Sequence, residues 1–158
     1  MPVTHSPKLS IVDFRPGLRD AFKSLNEAWI RRYFILEETD RIALEHPEEK
    51  IIQPGGCILF LLEGNDVLGC SALVKKDNTC FELAKMAVAD HAQRRGYGEL
   101  LGHACMERAK ELGAERLYLE SNTSLAPAMA LYKKLGFKRL PQSETPYMRC
   151  NIQMELWL

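Results

Sequence analysis

Several features that mark other classes of protein are missing from this 158-residue sequence. It has no excess charge of either sign, because 21 basic residues balance 21 acidic ones and the sequence pI is near 6.9. That balance argues against broad electrostatic binding to nucleic acid or to an anionic membrane, although it leaves room for a local basic patch. No apolar run approaches the roughly 20 residues that a membrane helix requires. The start, MPVTHSPKLS, lacks a basic segment followed by an apolar one, so we expect no secretory signal. The sequence predicts a soluble protein with neither nucleic acid nor membrane as a partner.

Paired cysteines are missing as well. The five cysteines are odd in number, widely spread and without a CxxC pair, so the sequence predicts neither disulfides nor a metal site. Four of them lie in apolar runs, where a thiol behaves as a small hydrophobic group. We therefore expect reduced core cysteines in a cytoplasmic protein. The positions are Cys57, Cys70, Cys80, Cys105 and Cys150.

The chain also lacks internal repeats, low-complexity segments and linkers, so residues 1–158 are expected to form one domain. A chain of this length buries roughly 68–70% of its unfolded surface, which is enough to sustain a core without a covalent staple.

Hydrophobic periodicity predicts the element order β-α-α-β-β-β-α-β-α-β-β, a mixed sheet with helices packed on it, in the α/β (α+β) class. The predicted strands are 8–14, 57–64, 66–76, 80–89, 115–122, 137–140 and 148–158, and the predicted helices are 18–36, 39–44, 97–112 and 126–136. Residues 1–7 resemble a loose tail, and Thr39 resembles the cap of the second helix.

The motif QRRGYG (93–98) stands at a strand-to-helix junction. The first N–H groups of a helix lack internal partners, and the helix dipole adds partial positive charge there, so a phosphate group fits. Gly96 and Gly98 would let a diphosphate approach the backbone, and Arg94 and Arg95 add positive charge. The alternative is a plain turn with solvated arginines. The motif is neither a P-loop nor a Rossmann fingerprint.

The residues around this motif resemble the sequence signature of a known protein family. Val88, four residues and then QRRGYG, ahead of an amphipathic helix, resemble the Q/R-x-x-G-x-G/A signature of the GNAT superfamily of N-acetyltransferases. Downstream, LYLESN (117–122) and APAMALYKKLGF (126–137) resemble its second motif, a strand ending in Asn that leads into a helix with Y-x-x-x-G-F. The matching residues of that helix are Tyr132, Gly136 and Phe137.

The whole chain also resembles the acetyltransferase half of bacterial proteins that fuse a MarR-type regulator to a GNAT domain. The sequence contains no DNA-binding half, so a regulatory role on DNA has no support.

The resemblance implies a GNAT-type fold: a mixed, mostly antiparallel sheet of about seven strands, helices on both faces, and strands 4 and 5 (80–88 and 116–121) parallel and splayed. It implies acetyl-CoA as cosubstrate in the opening between those strands, and no metal. The implied cofactor-binding residues are Met86, Ala87, Val88, Gln93, Arg94, Arg95, Gly96, Tyr97, Gly98, Asn122, Ala126 and Tyr132.

The resemblance further implies direct attack by a free amine on the thioester in a ternary complex. Tyr132 is the candidate general acid for the departing thiolate, and the Val88 N–H is the candidate oxyanion donor. Glu82 and Glu120 are candidate bases, with a water chain that needs no dedicated base as the alternative.

The acceptor is expected to lie between residues 25–40 and 141–149. The candidate walls of its pocket are Trp29, Tyr33 and Phe34. Glu37 or Glu38 is the candidate partner for an amine, and Arg31, Arg32 or Arg149 is the candidate partner for a carboxylate. Because both signs are present, the sequence favours a small amino-acid-like amine. Acetylation of a protein lysine or N-terminus is an alternative that an open acidic groove would favour. A non-catalytic acyl-CoA sensor is another alternative, against which the intact Asn122 and Tyr132 argue. The final strand either pairs across a homodimer or completes its own sheet.

Overall fold

The computed structural model describes residues 8–158, and within them the element order is the one that the sequence predicts. The expected tail at 1–7 lies outside the described residues. The strands are β1 (Leu9–Asp13), β2 (Cys57–Glu63), β3 (Asp66–Lys75), β4 (Cys80–Val88), β5 (Arg116–Ser121), β6 (Lys138–Arg139) and β7 (Ile152–Trp157). The helices are α1 (Arg19–Tyr33), α2 (Glu38–Glu45), α3 (Tyr97–Glu111) and α4 (Ala126–Leu135). Between residues 8 and 158, no helix is long and apolar enough to cross a membrane.

The seven strands form one mixed sheet in the order β1-β2-β3-β4-β5-β7-β6. Every neighbouring pair is antiparallel except β4 and β5, which run parallel over only three residue pairs, from Cys80↔Arg116 to Glu82↔Tyr118. Beyond Glu82 the two strands separate, which confirms the predicted splay. β7 lies between β5 and β6 and so completes the sheet of its own chain, while a homodimer stays a prediction.

A β-bulge in β4 accounts for the separation. Ala72 of β3 opposes Ala84, whereas Cys70 opposes Ala87, so two residues of β4 face a single residue of β3. One of these two, Lys85, has φ +53°, a left-handed conformation that is uncommon for a residue with a side chain. A bulge bends its strand and increases the local twist. The bend turns β4 away from β5 at the level where their pairing stops.

Helices cover both faces of the sheet, as the resemblance implies. On β2, Ile58 and Phe60 pack with Phe22 of α1 and Leu44 of α2. The other face, which contains Leu59, packs against α3 and α4. The cysteines behave as predicted for core residues: all five are free, four are buried, and Cys57 is half-buried.

The segment between α1 and α2 corrects two details of the sequence prediction. α1 ends at Tyr33 rather than at residue 36. Thr39 does not cap α2, because Glu37 occupies the cap position and its N–H donates to the Asp40 carboxylate at 3.1 Å. Asp40 is therefore the residue that completes this cap. A π-helical turn at Glu48–Ile52 also went unpredicted.

Candidate active site

A cleft of about 710 Å³ opens where β4 and β5 part. Its walls include the end of β4, the 93–98 turn, the first turns of α4, and residues from α1 and from the 141–149 loop. The predicted site residues that line it are Trp29, Tyr33, Glu82, Met86, Ala87, Val88, Gln93, Arg94, Gly96, Tyr97, Gly98, Glu120, Asn122, Tyr132 and Arg149. Glu37, Arg95 and Ala126 are not among the lining residues. The fold thus brings together residues from five separate parts of the sequence.

At one end of the cleft, α3 presents its free N-terminus. Its cap, Gly96, has φ +78°, and Arg94 has φ +64°, so the turn doubles back sharply before the helix. The first helical N–H that finds a backbone partner is that of Leu100, which donates to Gly96 O at 3.1 Å. The amides just before Leu100 are therefore available to an anion, as expected at a helix start.

Val88 directs its N–H into the cleft. Ala89 donates its N–H to Leu68 O on the β3 side at 2.8 Å, and consecutive amides of an extended strand point to opposite sides. The Val88 amide therefore points toward the space that β5 vacates. An extended pantetheine arm would add to this free edge of β4 in the manner of another strand.

Tyr132 lines the cleft from α4. Its ring packs against Phe137 with a centroid separation of 5.9 Å, so its position is fixed by the core. Burial raises the pKa of the Tyr132 phenol to about 12, an effect that the nearby Ser121 hydroxyl partly offsets. The phenol is therefore protonated at neutral pH and acts as a hydrogen-bond donor.

Two carboxylates lie on the same face of β4 and β5. Glu82 pairs with Tyr118 across the strands, and Glu120 follows two residues later. Burial raises the pKa of Glu82; Lys76, 3.4 Å away, opposes this effect, and the charge of Glu120 reinforces it. The two oxygens of Glu120 accept hydrogen bonds from the Tyr118 and Thr145 hydroxyls, both at 2.7 Å.

A buried charge cluster, which we define as Glu37, Asp40, Lys85 and Arg149, adjoins the far end of the cleft, and Lys85 and Arg149 line the cleft there. The fully buried Asp40 accepts from Lys85 at 2.7 Å and from both terminal nitrogens of Arg149 at 2.6 Å. Arg149 also contacts Glu37 at 3.1 Å. Burial opposes ionisation of Asp40, but hydrogen bonding from Arg149 and the charge of Lys85 outweigh it, so its pKa is lowered.

Tyr147 belongs to the same end of the cleft and, like Asp40 and Lys85, was missed by the sequence analysis. Lys85 donates to its hydroxyl at 3.1 Å. A usable signal was present, because a lysine inside the apolar strand ELAKMAV requires a buried acidic partner. The identity of that partner was not readable, since Asp40 resembles an ordinary acidic residue of a helix's first turn.

The 141–149 loop is fixed to the sheet by side chains. The buried Gln153 on β7 accepts from the Ser143 N–H at 2.7 Å, and Asn122 donates to Arg149 O at 2.7 Å. Thr145 attaches the middle of the loop to Glu120. The predicted strand 148–158 consequently begins only at Ile152.

Replacing Gly96 tests the turn. Gly96→Val is expected to weaken CoA binding at least tenfold by isothermal titration, because a branched side chain at φ +78° costs about 1–2 kcal/mol and displaces the amides. Gly113→Val is the matched control: Gly113 also has positive φ, +90°, and open space around its absent side chain, but it follows the C-terminal end of α3. Equal loss of CoA affinity in both variants would contradict a specific role for the turn.

This geometry defines a cleft with free helix amides at one end and the Tyr132 phenol along its wall. The model of the acetyltransferase (GNAT) family matches residues 18–137, and the chain belongs to that family. The further likeness to MarR-fused acetyltransferases stays a prediction.

Curated relatives and solved structures agree with the family. The chain is 32% identical over 107 residues to YjgM, an uncharacterised N-acetyltransferase of Escherichia coli (strain K12), covering 65% of this chain and 64% of that protein. It is 44% identical over 69 residues to an N-alpha-acetyltransferase of Sulfurisphaera tokodaii, covering 43% and 39% of the two chains. These matches thus span less than two thirds of the relatives' own lengths.

The fold is shared with two solved acetyltransferases. A GNAT-family acetyltransferase from Staphylococcus aureus Mu50 superposes with a TM-score of 0.81 at 18% identity, covering 94% of this chain and 98% of that one. A Bacillus subtilis acetyltransferase solved in complex with CoA gives 0.72 at 22% identity, covering 96% and 99%. At these identities the likeness concerns the fold.

Proposed function

We propose that the protein transfers an acetyl group from acetyl-CoA to a primary amine of a small molecule, by direct attack in a ternary complex. One observation carries the proposal: the cleft between β4 and β5 joins free amides at the start of α3 to a protonated phenol and two carboxylates. The CoA complex of the Bacillus subtilis relative supports the choice of cosubstrate. Action in the cytoplasm of a bacterium stays a prediction.

The proposed reaction begins with deprotonation of the acceptor. An alkyl ammonium with a pKa near ~10 is mostly protonated at neutral pH and cannot attack a carbonyl carbon. Glu82 is the better candidate base, because its pKa is raised toward the range in which a carboxylate accepts a proton efficiently. The amine nitrogen then attacks the thioester carbon, and the Val88 N–H donates to the resulting oxyanion.

Collapse of this intermediate breaks the carbon–sulfur bond and leaves a thiolate on CoA. The Tyr132 phenol donates a hydrogen bond to that sulfur. With a phenol pKa of about 12 and a thiol pKa of about 8.5, complete proton transfer is uphill by roughly 5 kcal/mol. We therefore propose that Tyr132 acts chiefly by stabilising charge on sulfur. The nitrogen loses two protons: the first passes through Glu82 to solvent before the attack, and the second passes from the intermediate to Glu82 as the carbon–sulfur bond breaks and then returns to the thiolate.

The function is tested by measuring free thiol released from acetyl-CoA across a panel of amines, together with CoA binding by calorimetry. Acceptor-dependent release and an N-acetylated product in the mass spectrum are expected. Binding of CoA without turnover on any amine would instead favour a non-catalytic sensor.

Glu82→Gln is expected to lower kcat/KM about tenfold at neutral pH, less than is usual for a general base, because Glu120 lines the same cleft and can relay a proton through water. Since the pKa of Glu82 is raised, the acidic limb of the wild-type pH–rate profile should lie above the ordinary glutamate pKa of about 4.3. Activity should fall as pH falls through that limb.

The free energy of unfolding and the pH–rate profile serve as checks on this prediction for Glu82→Gln. Because burial already disfavours the ionised form of Glu82, Gln at this position should not reduce the free energy of unfolding at pH 7. If neither Glu82→Gln nor Glu120→Gln alters the pH–rate profile, both carboxylates lose their proposed role as base.

Acetylation of a protein N-terminus is the second candidate, favoured by the relative from Sulfurisphaera tokodaii, which is an N-alpha-acetyltransferase. Short peptides with free and blocked N-termini distinguish it. A kcat/KM for free peptides at least tenfold above that for the best small amine would replace the first proposal with the second.

A further inference from the structure

The two cations at the acceptor end of the cleft are already neutralised by the protein. Arg149 directs both terminal nitrogens at Asp40 and one of them also at Glu37, and its side chain is only 14% exposed. Lys85 is 7% exposed and contacts the same Asp40. With two positive and two negative groups, the buried charge cluster has no net charge to offer a ligand.

Aromatic rings also pack against these two cations. The Tyr147 ring centroid lies 4.8 Å from Lys85 Nζ and 4.6 Å from Arg149 Cζ, and the Trp29 ring lies 6.0 Å from Arg149. These are distances at which cation–π attraction operates. A carboxylate entering the cleft would have to displace both aromatic and acidic partners to reach either cation.

Among the described residues, neither of the carboxylates beside them forms an ion pair with a buried cation. Glu120 accepts hydrogen bonds from neutral groups only, namely the hydroxyls of Tyr118 and Thr145 and the amide of Gln153. Such bonds orient a carboxylate without cancelling its charge. Glu82 lies near Lys76, whose side chain is 47% exposed and screened by water, and it is influenced more weakly by Lys85, which already contacts Asp40.

One other cation lines this end of the cleft. Arg32 lies at the rim, 59% exposed, and pairs with Asp90 at 3.7 Å, so it is also partly neutralised and well solvated. The remaining lining cations, Arg94 and Lys134, lie on the turn and helix assigned above to the coenzyme. The reacting part of the cleft therefore carries an excess of negative charge.

On the basis of the proposed function, we infer that the acceptor is a primary amine with no carboxylate on the carbon that bears it, and with a hydrocarbon body that packs along Trp29, Tyr33 and Phe34. An ammonium group is attracted by Glu82 and Glu120, whereas a neighbouring carboxylate would face them without a free cation, and like charges brought together in an interface are strongly disfavoured. This inference replaces the amino-acid-like acceptor that the sequence favours.

A matched series of amines distinguishes the effect of the charge of the group beside the amine from the effect of its size. Tyramine, tyrosinamide and tyrosine carry the same ring and differ only in the group beside the amine: none, a neutral amide or a carboxylate. Each kcat/KM is divided by the fraction of unprotonated amine, because the three amine pKa values differ. 3-Methylbutylamine, leucinamide and leucine form a parallel series with one amine each, and the series that contains the better acceptor is used for the test.

The amide and the decarboxylated amine are expected within about fivefold of each other, and the amino acid about 100-fold below them. An amino acid within threefold of its amide overturns the inference and leaves the proposed function intact. No thiol release with any amine, despite measured CoA binding, overturns the proposed function and this inference with it.

Variants of the charge cluster test the cause. Glu37→Gln and Asp40→Asn each remove an acidic partner of Arg149 while keeping an acceptor oxygen, so the amino acid should gain about tenfold relative to its amide. Asp13→Asn is the control, because Asp13 pairs with Arg108 on the surface, outside the cleft, and should leave that ratio unchanged. An unchanged ratio in both cluster variants overturns the assignment of the discrimination to this cluster.

Discussion

Asp40→Ala is expected to lower the free energy of unfolding by about 3–5 kcal/mol, because it leaves Lys85 and Arg149 buried without their shared anion. The side chain of Asp40 is fully buried, so water cannot replace the lost contacts. Urea denaturation at pH 7 measures the change. Asp13→Ala removes one partner of a surface ion pair and should cost no more than about 1 kcal/mol.

The same prediction has a pH dependence with a definite sign. The pKa of Asp40 is lower in the folded state than in the unfolded chain, so its contribution is present above the unfolded pKa of about 3.9. It is lost as pH falls through the folded pKa. The difference between wild type and Asp40→Ala should therefore shrink below about pH 4. A difference under 1 kcal/mol at pH 7, matching that of Asp13→Ala, would show that the cluster is solvated.

Local sequence rules predict the sheet and the 93–98 turn well, because both depend on neighbouring residues. Strand alternation and helical periodicity identify the eleven predicted elements, and the order agrees with the structure within residues 8–158. The two glycines of QRRGYG mark a turn that doubles back, and Gly96 does adopt the left-handed conformation that favours glycine.

The acceptor end could not be predicted in the same way, because its contacts join distant segments. Asp40 and Arg149 are separated by 109 positions, and no local pattern links them. The bulge at Lys85 depends on the register between β3 and β4, which hydrophobic alternation leaves open. The misassigned cap at Thr39 has the same origin, since Asp40 is held in place by residues outside its helix.

This difference has a consequence for substrate assignment. Read from the sequence, Arg149 and Glu37 are two charges of opposite sign, and together they suggest a zwitterionic acceptor. In the structure they form an ion pair with each other, so neither charge is free to bind a zwitterionic acceptor. The two carboxylates that form no ion pair with a buried cation, Glu82 and Glu120, are predicted from the sequence only as bases.

Tyr132→Phe is expected to lower kcat about 100-fold with the best amine, because it removes the phenol hydroxyl that is proposed to donate to the sulfur. The phenylalanine ring preserves the packing on Phe137, so the free energy of unfolding should change by no more than about 1 kcal/mol. CoA affinity should stay within threefold, since the amides of the 93–98 turn are untouched.

Tyr118→Phe is the matched control for this variant. Tyr118 is also a half-buried tyrosine with a pKa raised by burial, but its hydroxyl donates to Glu120 and it does not line the cleft. We expect it to lower kcat less than fivefold. Comparison of the two variants thus distinguishes a hydroxyl that is proposed to contact the sulfur from one that orients a carboxylate. Turnover of Tyr132→Phe within a factor of about two of wild type would mean that the thiolate departs without help from the phenol, leaving Tyr132 a packing residue of α4.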